Sequence, residues 1–391
     1  MSAQLDHSND LKTAKRAAAV APPEVLQAML RGTGVSFNGS QPWDIQVHDA
    51  EFYHRVLAQG SLGFGEAYMD GLWDCERLDE MFDRLLRADL DHKVRHLNRL
   101  HWLAESLRWR LFNYQSRRRA FQVGEQHYDI GNDIFEAMLD PSMSYSCAYW
   151  ASADNLGQAQ LDKLDLICRK LQLQPGERLL DIGCGWGGLA RHAAANYGVR
   201  VHGITVSREQ QRLARERCAG LPVEIELCDY RDLQGRFDKI VSVGMFEHVG
   251  RKNYRAYFDT AARLLSDDGI FLLHTIGDYA DDPVTDPWIV KYIFPNGQLP
   301  SARQLSGAVQ GHFLIEDWHN FGTDYDKTLM AWWANFAAAW PSLAERYEER
   351  FRRMWHYYLM SCAGFFRSRK GQLWQLVLTK PQRAQVYRSL R

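Results

Sequence analysis

From residue 22 to about residue 115 the apolar positions recur at three- and four-residue spacing. Val25, Leu26, Met29 and Leu30 form one stripe, and Met81, Phe82, Leu85, Leu86 and Leu90 form another. That period predicts helices. A short run around Val35-Ser36-Phe37-Asn38-Gly39 predicts a strand and turn. The pattern changes after Arg119. Apolar runs at 178–182, 199–204, 223–227, 239–243 and 270–274 alternate with helical patterns at 187–196, 207–218 and 253–265. Such alternation is the mark of an α/β domain with a mainly parallel sheet. Pro283, Pro287 and Pro295 then mark a loop, and the aromatic-rich remainder predicts helices to the C-terminus. No internal repeat or long low-complexity linker interrupts the chain. Three parts are expected: a disordered leader over 1–20, a mainly helical N-terminal domain over 21–120, and an α/β domain over 121–391.

Composition narrows the class. A chain of 391 residues with 46% hydrophobic and 24% charged positions fits a soluble protein of two or three domains. Its net charge of −1 names no nucleic-acid or membrane partner. Locally the balance differs: between His92 and Arg119, eight Lys and Arg face one acid, Glu105, which gives +7. The seven cysteines form no CxxC pair and suggest neither a disulfide framework nor a zinc site, so a reducing cytosol is expected. The apolar run after Lys12, Lys15 and Arg16 is cut short by Pro22-Pro23, and no stretch approaches a membrane span. The chain reads as cytoplasmic, at most resting on a membrane.

The first chemical signal is Leu179-Leu180-Asp181-Ile182-Gly183-Cys184-Gly185-Trp186-Gly187-Gly188, a strand ending in an acid and a glycine-rich turn opening a helix. Glycines there let the backbone approach a ligand closely. The D-x-G-x-G form is the usual first motif of S-adenosylmethionine (SAM)-dependent methyltransferases, in which the acid accepts from the ligand's ammonium group. Asp229-Tyr230 follows the third strand, where such folds hold adenine through an acid. The second strand ends Gly203-Ile204-Thr205-Val206-Ser207, without the acid that commonly binds ribose hydroxyls. Gln210 and Gln211 stand in its place.

Further segments carry more specific information: Gly60-Ser61-Leu62-Gly63, Tyr68-Met69-Asp70-Gly71, His127-Tyr128-Asp129-Ile130-Gly131-Asn132-Asp133, Tyr145-Ser146-Cys147-Ala148-Tyr149-Trp150, Met245-Phe246-Glu247-His248-Val249-Gly250 and Leu273-His274-Thr275-Ile276-Gly277. With them the chain resembles the bacterial cyclopropane-fatty-acyl-phospholipid synthases over residues 22–380. The resemblance implies a class I SAM-dependent methyltransferase domain, Rossmann-like, behind a smaller helical domain that associates with lipid. It implies a homodimer seated peripherally on the inner membrane, and a reaction that adds a methylene from SAM across a cis double bond of a phospholipid acyl chain. By position, bicarbonate-holding residues fall on Cys147, Glu247, His274, Tyr325 and the backbone of Ile276. Cofactor contacts fall on Tyr145, Ser146, Gly183, Gly185, Thr205, Gln210, Gln211 and the Asp229-Tyr230 pair, with Asp181 and Cys184 in the same loop. A cysteine discussed as catalytic in the family corresponds to Cys362; beside Ala363, Phe365 and Phe366 it also fits an inert buried thiol near the acyl channel.

The chemistry fits those residue types. An alkene is a weak nucleophile and must be pressed against the sulfonium methyl with water excluded. Transfer leaves a carbocation whose proton a weak, small base can remove, and a buried anion such as bicarbonate requires donors. His274, Tyr325, Cys147 and a backbone N–H can donate. Glu247 would repel an anion unless it accepts the hydroxyl hydrogen of bicarbonate, so its expected role is to orient the base. Trp332, Trp333, Phe336, Trp340, Trp355, Tyr357 and Tyr358 supply apolar walls for an acyl chain, although stripes at helical spacing are also ordinary core. Leu97, Leu100, Leu107 and Leu111, flanked by basic residues, fit a helix lying on anionic lipid or a solvated basic face. The rival of the same fold is a lipid methyltransferase leaving a methyl branch or a hydroxylated chain.

Overall fold

The computed structural model describes residues 21–90, 131–281 and 284–391. It opens with helix α1 (Glu24–Leu30), the two-residue strand β1 (Gln46–Val47), helices α2 (Glu51–Gln59) and α3 (Ser61–Met69), strand β2 (Trp73–Asp74) and helix α4 (Leu78–Arg87). After the undescribed stretch come α5 (Asn132–Met138) and α6 (Leu156–Lys170), then β3 (Arg178–Ile182), α7 (Gly188–Tyr197), β4 (Arg200–Thr205), α8 (Arg208–Arg217), β5 (Val223–Leu227) and β6 (Phe237–Val243). The chain continues through α9 (Tyr254–Leu264), β7 (Leu265–Asp278), α10 (Pro287–Tyr292), α11 (Ala302–Val309) and β8 (Leu314–Asn320). It ends with α12 (Thr323–Leu343), α13 (Glu349–Arg367) and β9 (Gly371–Thr379).

Seven strands form one sheet in the order β5-β4-β3-β6-β7-β9-β8. The five on the β5 side run parallel, and β9 is antiparallel to both β7 and β8. This is the mainly parallel sheet expected from the alternation, in the class I Rossmann-like arrangement that the family resemblance implies. Strand order reverses between β3 and β6, and the carboxyl ends beside that switch point are where open α/β sheets place their ligands.

Two expectations change. The region after His274 is not helical to its end: it contributes β8 and β9, and β7 itself runs to Asp278. Both added strands hide their period, β8 because it carries Glu316, Asp317, His319 and Asn320, and β9 because nearly every position is buried on both faces. The strand expected near Val35 is a single bridge, Phe37 to Ile45. The leader, the His127–Ile130 motif residues, the basic segment over 92–119 and the boundary at 120 lie outside the described residues.

The N-terminal helices do not enclose a core of their own. Leu26, Phe52, Trp73 and Met81 belong to the same apolar cluster as Trp332, Trp355, Tyr357 and Met360 of α12 and α13. At Gly364 the backbone of α13 meets that of α4 so closely that a Cβ would stand 2.8 Å from Asp83 N and 2.9 Å from Asp79 O. Arg367, three residues on, donates to Asp79 on α4 at 2.6 Å and to both oxygens of Asp326 on α12 at 2.8 Å. A second seam joins α3 to α10, where Lys291 and Tyr292 both donate to Glu66.

Candidate active site

The glycine turn after β3 forms the floor of the first pocket. Gly183 has φ +83° and lies so close to Met245 that a Cβ would meet its Cγ at 2.8 Å, so only glycine fits without strain. Asp181, Gly183, Cys184, Gly185, Thr205, Gln210, Asp229, Tyr230, Tyr145 and Ser146 all line this pocket. Ser207 caps α8 by accepting from Gln210 N, which fixes the helix start, and Thr205 donates to Gln210 Oε1 at 2.8 Å. Gln211 is not on the wall: its amide donates to Ile225 O of β5 at 3.2 Å. Neighbours on a helix are rotated about 100° apart, so only one of the two glutamines can face the ligand. Asp229 reaches the wall already paired with Arg231, which donates from Nε at 2.8 Å and from Nη2 at 2.5 Å. A carboxylate keeps further lone pairs, so an adenine amino group can still be accommodated.

Asp181 is buried, and its Oδ2 has no hydrogen-bond partner. Burial pushes its carboxyl up to about 7, against the attraction of Lys163. Lys163, on the inner face of α6, is equally buried and donates to Ser146 Oγ at 2.9 Å; burial lowers it to about 8, with Asp140 and Cys147 opposing. An ammonium group needs the ionised form of Asp181. SAM affinity should therefore rise with pH through about 7, and calorimetric titration between about pH 6 and about pH 8 should show it. In Asp181→Asn that slope should vanish and affinity should fall about tenfold.

A second, larger cavity of about 660 Å3 extends from this pocket. Tyr145, Ser146, Gly244 and His248 line both, so these residues mark the junction. The walls are mostly apolar and come from both ends of the chain: Met29 and Leu30 of α1, Phe82 and Leu85 of α4, Tyr358 and Phe365 of α13. Tyr145 and Tyr358 join hydroxyl to hydroxyl at 2.7 Å across it.

Glu247, His274, Ile276, Tyr325 and Cys362 all reach this wall. Glu247 sits in the 3-10 turn Phe246–His248 after β6, and Ile276 N donates to its Oε1 at 2.7 Å. Its Oε2 has no partner, and burial raises the carboxyl to about 7 although that N–H and others favour the charged form. The Ile276 N–H, expected to face an anion, is thus engaged in holding Glu247. His274 is wholly buried on β7, pushed well below the ordinary imidazole range by burial and by Lys163 and Lys170, so it is neutral. Its Nε2 has no partner. Tyr325 stacks on Phe366 at 4.5 Å between centroids, and burial raises its phenol well above the usual range, which leaves it a donor.

Cys147 is placed differently from expectation. It is fully buried but absent from the cavity wall, and its thiol donates to Ala148 O at 3.2 Å. The loop turns away after Ser146: Tyr145 and Ser146 face the pockets, while Ala148 N is tied to Thr328 of α12. Cys362 is on the wall, but burial pushes its thiol up to about 12. A thiol that stays protonated is a poor nucleophile. Cys362→Ser should keep kcat within about threefold of wild type, whereas loss of turnover in that variant would restore a covalent role.

Sequence reasoning missed Lys163 and Gln375, whereas Tyr357 and Tyr358, expected as acyl-chain walls, do line the cavity. Lys163 carried a usable signal, a lysine inside the apolar stripe of Leu156, Ala159, Leu164 and Ile167, all of them buried. Gln375 sits in the apolar run of β9 directly opposite His274.

The sequence profile of the family described as mycolic acid cyclopropane synthetase matches residues 115–376. The cyclopropane-fatty-acyl-phospholipid synthase of Escherichia coli (strain K12) is 58% identical over 359 residues, covering 91% of this chain and 93% of that protein. The tuberculostearic acid methyltransferase UfaA1 of Mycobacterium tuberculosis is 35% identical, covering 83% of this chain and 80% of its own. Among solved structures, mycolic acid cyclopropane synthase CmaA1 complexed with SAH and CTAB superposes with a TM-score of 0.62 at 35% identity, over 66% of this chain and 98% of that one.

Proposed function

The chain belongs to the mycolic acid cyclopropane synthetase family, and from that premise we propose that it converts cis-unsaturated acyl chains of membrane phospholipids to cyclopropanes, with bicarbonate held as the base. Its activity is SAM-dependent methylene transfer of the cyclopropane-fatty-acyl-phospholipid synthase kind. One observation carries the finer reading. The glycine-loop pocket opens at Tyr145, Ser146, Gly244 and His248 into an apolar cavity, and two buried polar atoms without partners, Glu247 Oε2 and His274 Nε2, belong to residues of its wall.

Orphaned buried polar atoms are costly, and a pair of them on one wall fits a small polar guest. A carboxylate and a neutral imidazole suit bicarbonate, which is both an acceptor and, through its hydroxyl, a donor. Glu247 Oε2 would accept that hydroxyl hydrogen, while His274 and Tyr325 donate to the anion. When bound, SAM supplies an electrophilic methyl and bicarbonate a weak base that removes the proton whose loss closes the ring. The chain's own part is placement: Asp181 receives the ammonium group, the glycine turn admits the ligand closely, and the apolar walls align the alkene and exclude water.

Purified protein incubated with SAM and liposomes of cis-unsaturated phospholipid should yield lipid heavier by one CH2 that survives hydrogenation, as read by mass spectrometry. A heavier but still reducible product would move the assignment to a lipid methyltransferase that leaves a methyl branch. The proposal includes a cytoplasmic homodimer seated peripherally on the inner membrane through the basic stretch over 92–119; among the described residues no helix is long and apolar enough to cross a bilayer. Replacing Arg117, Arg118 and Arg119 with Glu should lower binding to anionic vesicles about tenfold or more and leave SAM affinity unchanged. Equal vesicle binding would dispose of that seat.

A further inference from the structure

Gln375 is a polar side chain with no exposed surface, set in a strand whose buried neighbours Leu373, Trp374, Leu376, Val377 and Leu378 are apolar. Across the sheet it stands opposite His274 on β7 and opposite His319 on β8, so a polar row crosses three strands in otherwise apolar surroundings. Only one end of the amide has a partner: Nε2 lies 3.2 Å from His274 Nδ1, while Oε1 has none. An amide placed there for packing alone would be better replaced by a hydrocarbon of the same shape.

The contact dictates the state of the ring. A neutral imidazole has one N–H and one lone pair, and the partner of one nitrogen decides what the other presents. With the amide in this orientation its N–H can only donate, which makes His274 Nδ1 the acceptor and places the ring proton on Nε2. That nitrogen is the orphaned one, on the residue that shares a wall with Glu247 Oε2. We propose that Gln375 is a positioning residue that locks His274 in its Nε2–H form, so that the imidazole offers a donor, and never a lone pair, to the anion held in the cavity. This rests on the bicarbonate reading of the cavity, since the donor matters only where an acceptor is held.

The test reads the ring directly. With 15N-labelled histidine, the His274 signals, identified by their loss in His274→Asn, should show a bare Nδ1 and a protonated Nε2 in the wild-type protein. In Gln375→Glu a carboxylate faces Nδ1 and draws a proton onto it. The spectrum should then show Nδ1–H, and kcat should fall about tenfold to a hundredfold with KM for SAM unmoved. Gln375→Met, which fills the same space without a donor, should give a mixture of the two forms and an intermediate kcat. A wild-type ring protonated on Nδ1 overturns the proposal, as does a tautomer that stays unchanged in both variants. The ring signal needs neither lipid nor bicarbonate. If turnover proves independent of bicarbonate while the tautomer follows Gln375, the reading of the anion has failed and the lock has not.

Discussion

Glu247→Gln should lower kcat for methylene transfer by about a hundredfold or more, with SAM affinity within about threefold of wild type. The amide is the same size and its oxygen can still accept from Ile276 N, which now holds Oε1 at 2.7 Å. The other arm changes sign: where Oε2 offers a lone pair, the variant offers two N–H groups to a guest to which His274 and Tyr325 of the same cavity already donate. A guest with a hydroxyl then has nothing to give its hydrogen to. The pH profile separates this from simple misfolding. Burial raises the Glu247 carboxyl to about 7, so the charged, orienting form fills in as pH rises through that value. Wild-type kcat at saturating SAM should rise through about pH 7, and the rise should be missing in the variant. Because kcat reports the loaded enzyme, the titration of Asp181 proposed to act on SAM binding does not enter this profile. A variant with wild-type kcat would remove Glu247 from the chemistry.

The largest effect on stability should come from Arg367→Met. Arg367 ties α4, α12 and α13 together through Asp79 and Asp326. Asp79 is 2% exposed, so losing the guanidinium strands a buried carboxylate with only the longer 3.5 Å contact to Arg77. Breaking one side of such a pair costs about 3–5 kcal/mol, which should appear as a clear drop in the urea midpoint. The sign with pH follows from the direction of the shift. Burial pushes Asp79 up, but Arg367 and then Arg77 outweigh it, and its carboxyl stays below the ordinary value. Stability from such a group is present above the unfolded carboxylate value and is lost as pH falls through the folded one. The gap between wild type and variant should therefore be full at neutral pH and close only below about pH 4. A gap that widens in acid would mean that the ion pair is not its source.

The parallel half of the sheet was legible because its strands begin as apolar runs bounded by turns, and β3, β4 and β6 are each followed by a helical pattern. β8, which precedes the two long aromatic helices, and β9, which follows them, were not, because an antiparallel pairing across that interval leaves no local mark. The site divides in the same way. Asp181, Glu247 and His274 could be read because each stands at or just past the carboxyl end of the parallel pairing, where ligands bind. Gln375 and Lys163 looked like interruptions of apolar stripes, since a buried polar residue means nothing until its partner is located, 101 positions away for Gln375 and 17 for Lys163. Cys147 and Gln211 show the converse. Each lies beside a residue on the pocket wall, and the backbone turns one of the two neighbours away.

The shared core of the two ends of the chain has a consequence for synthesis. Helices α1 to α4 leave the ribosome first, with Leu26, Phe52, Trp73 and Met81 ready for burial, but much of the surface that covers them belongs to α12 and α13. Between Arg87 and Glu349 more than two hundred residues must be made, which takes roughly 13–50 s at the usual bacterial rate. Through that interval the apolar faces lack the part of their cover that α12 and α13 supply. The nascent chain is thus exposed to aggregation for most of its synthesis, and the cavity can close only after α13 has emerged.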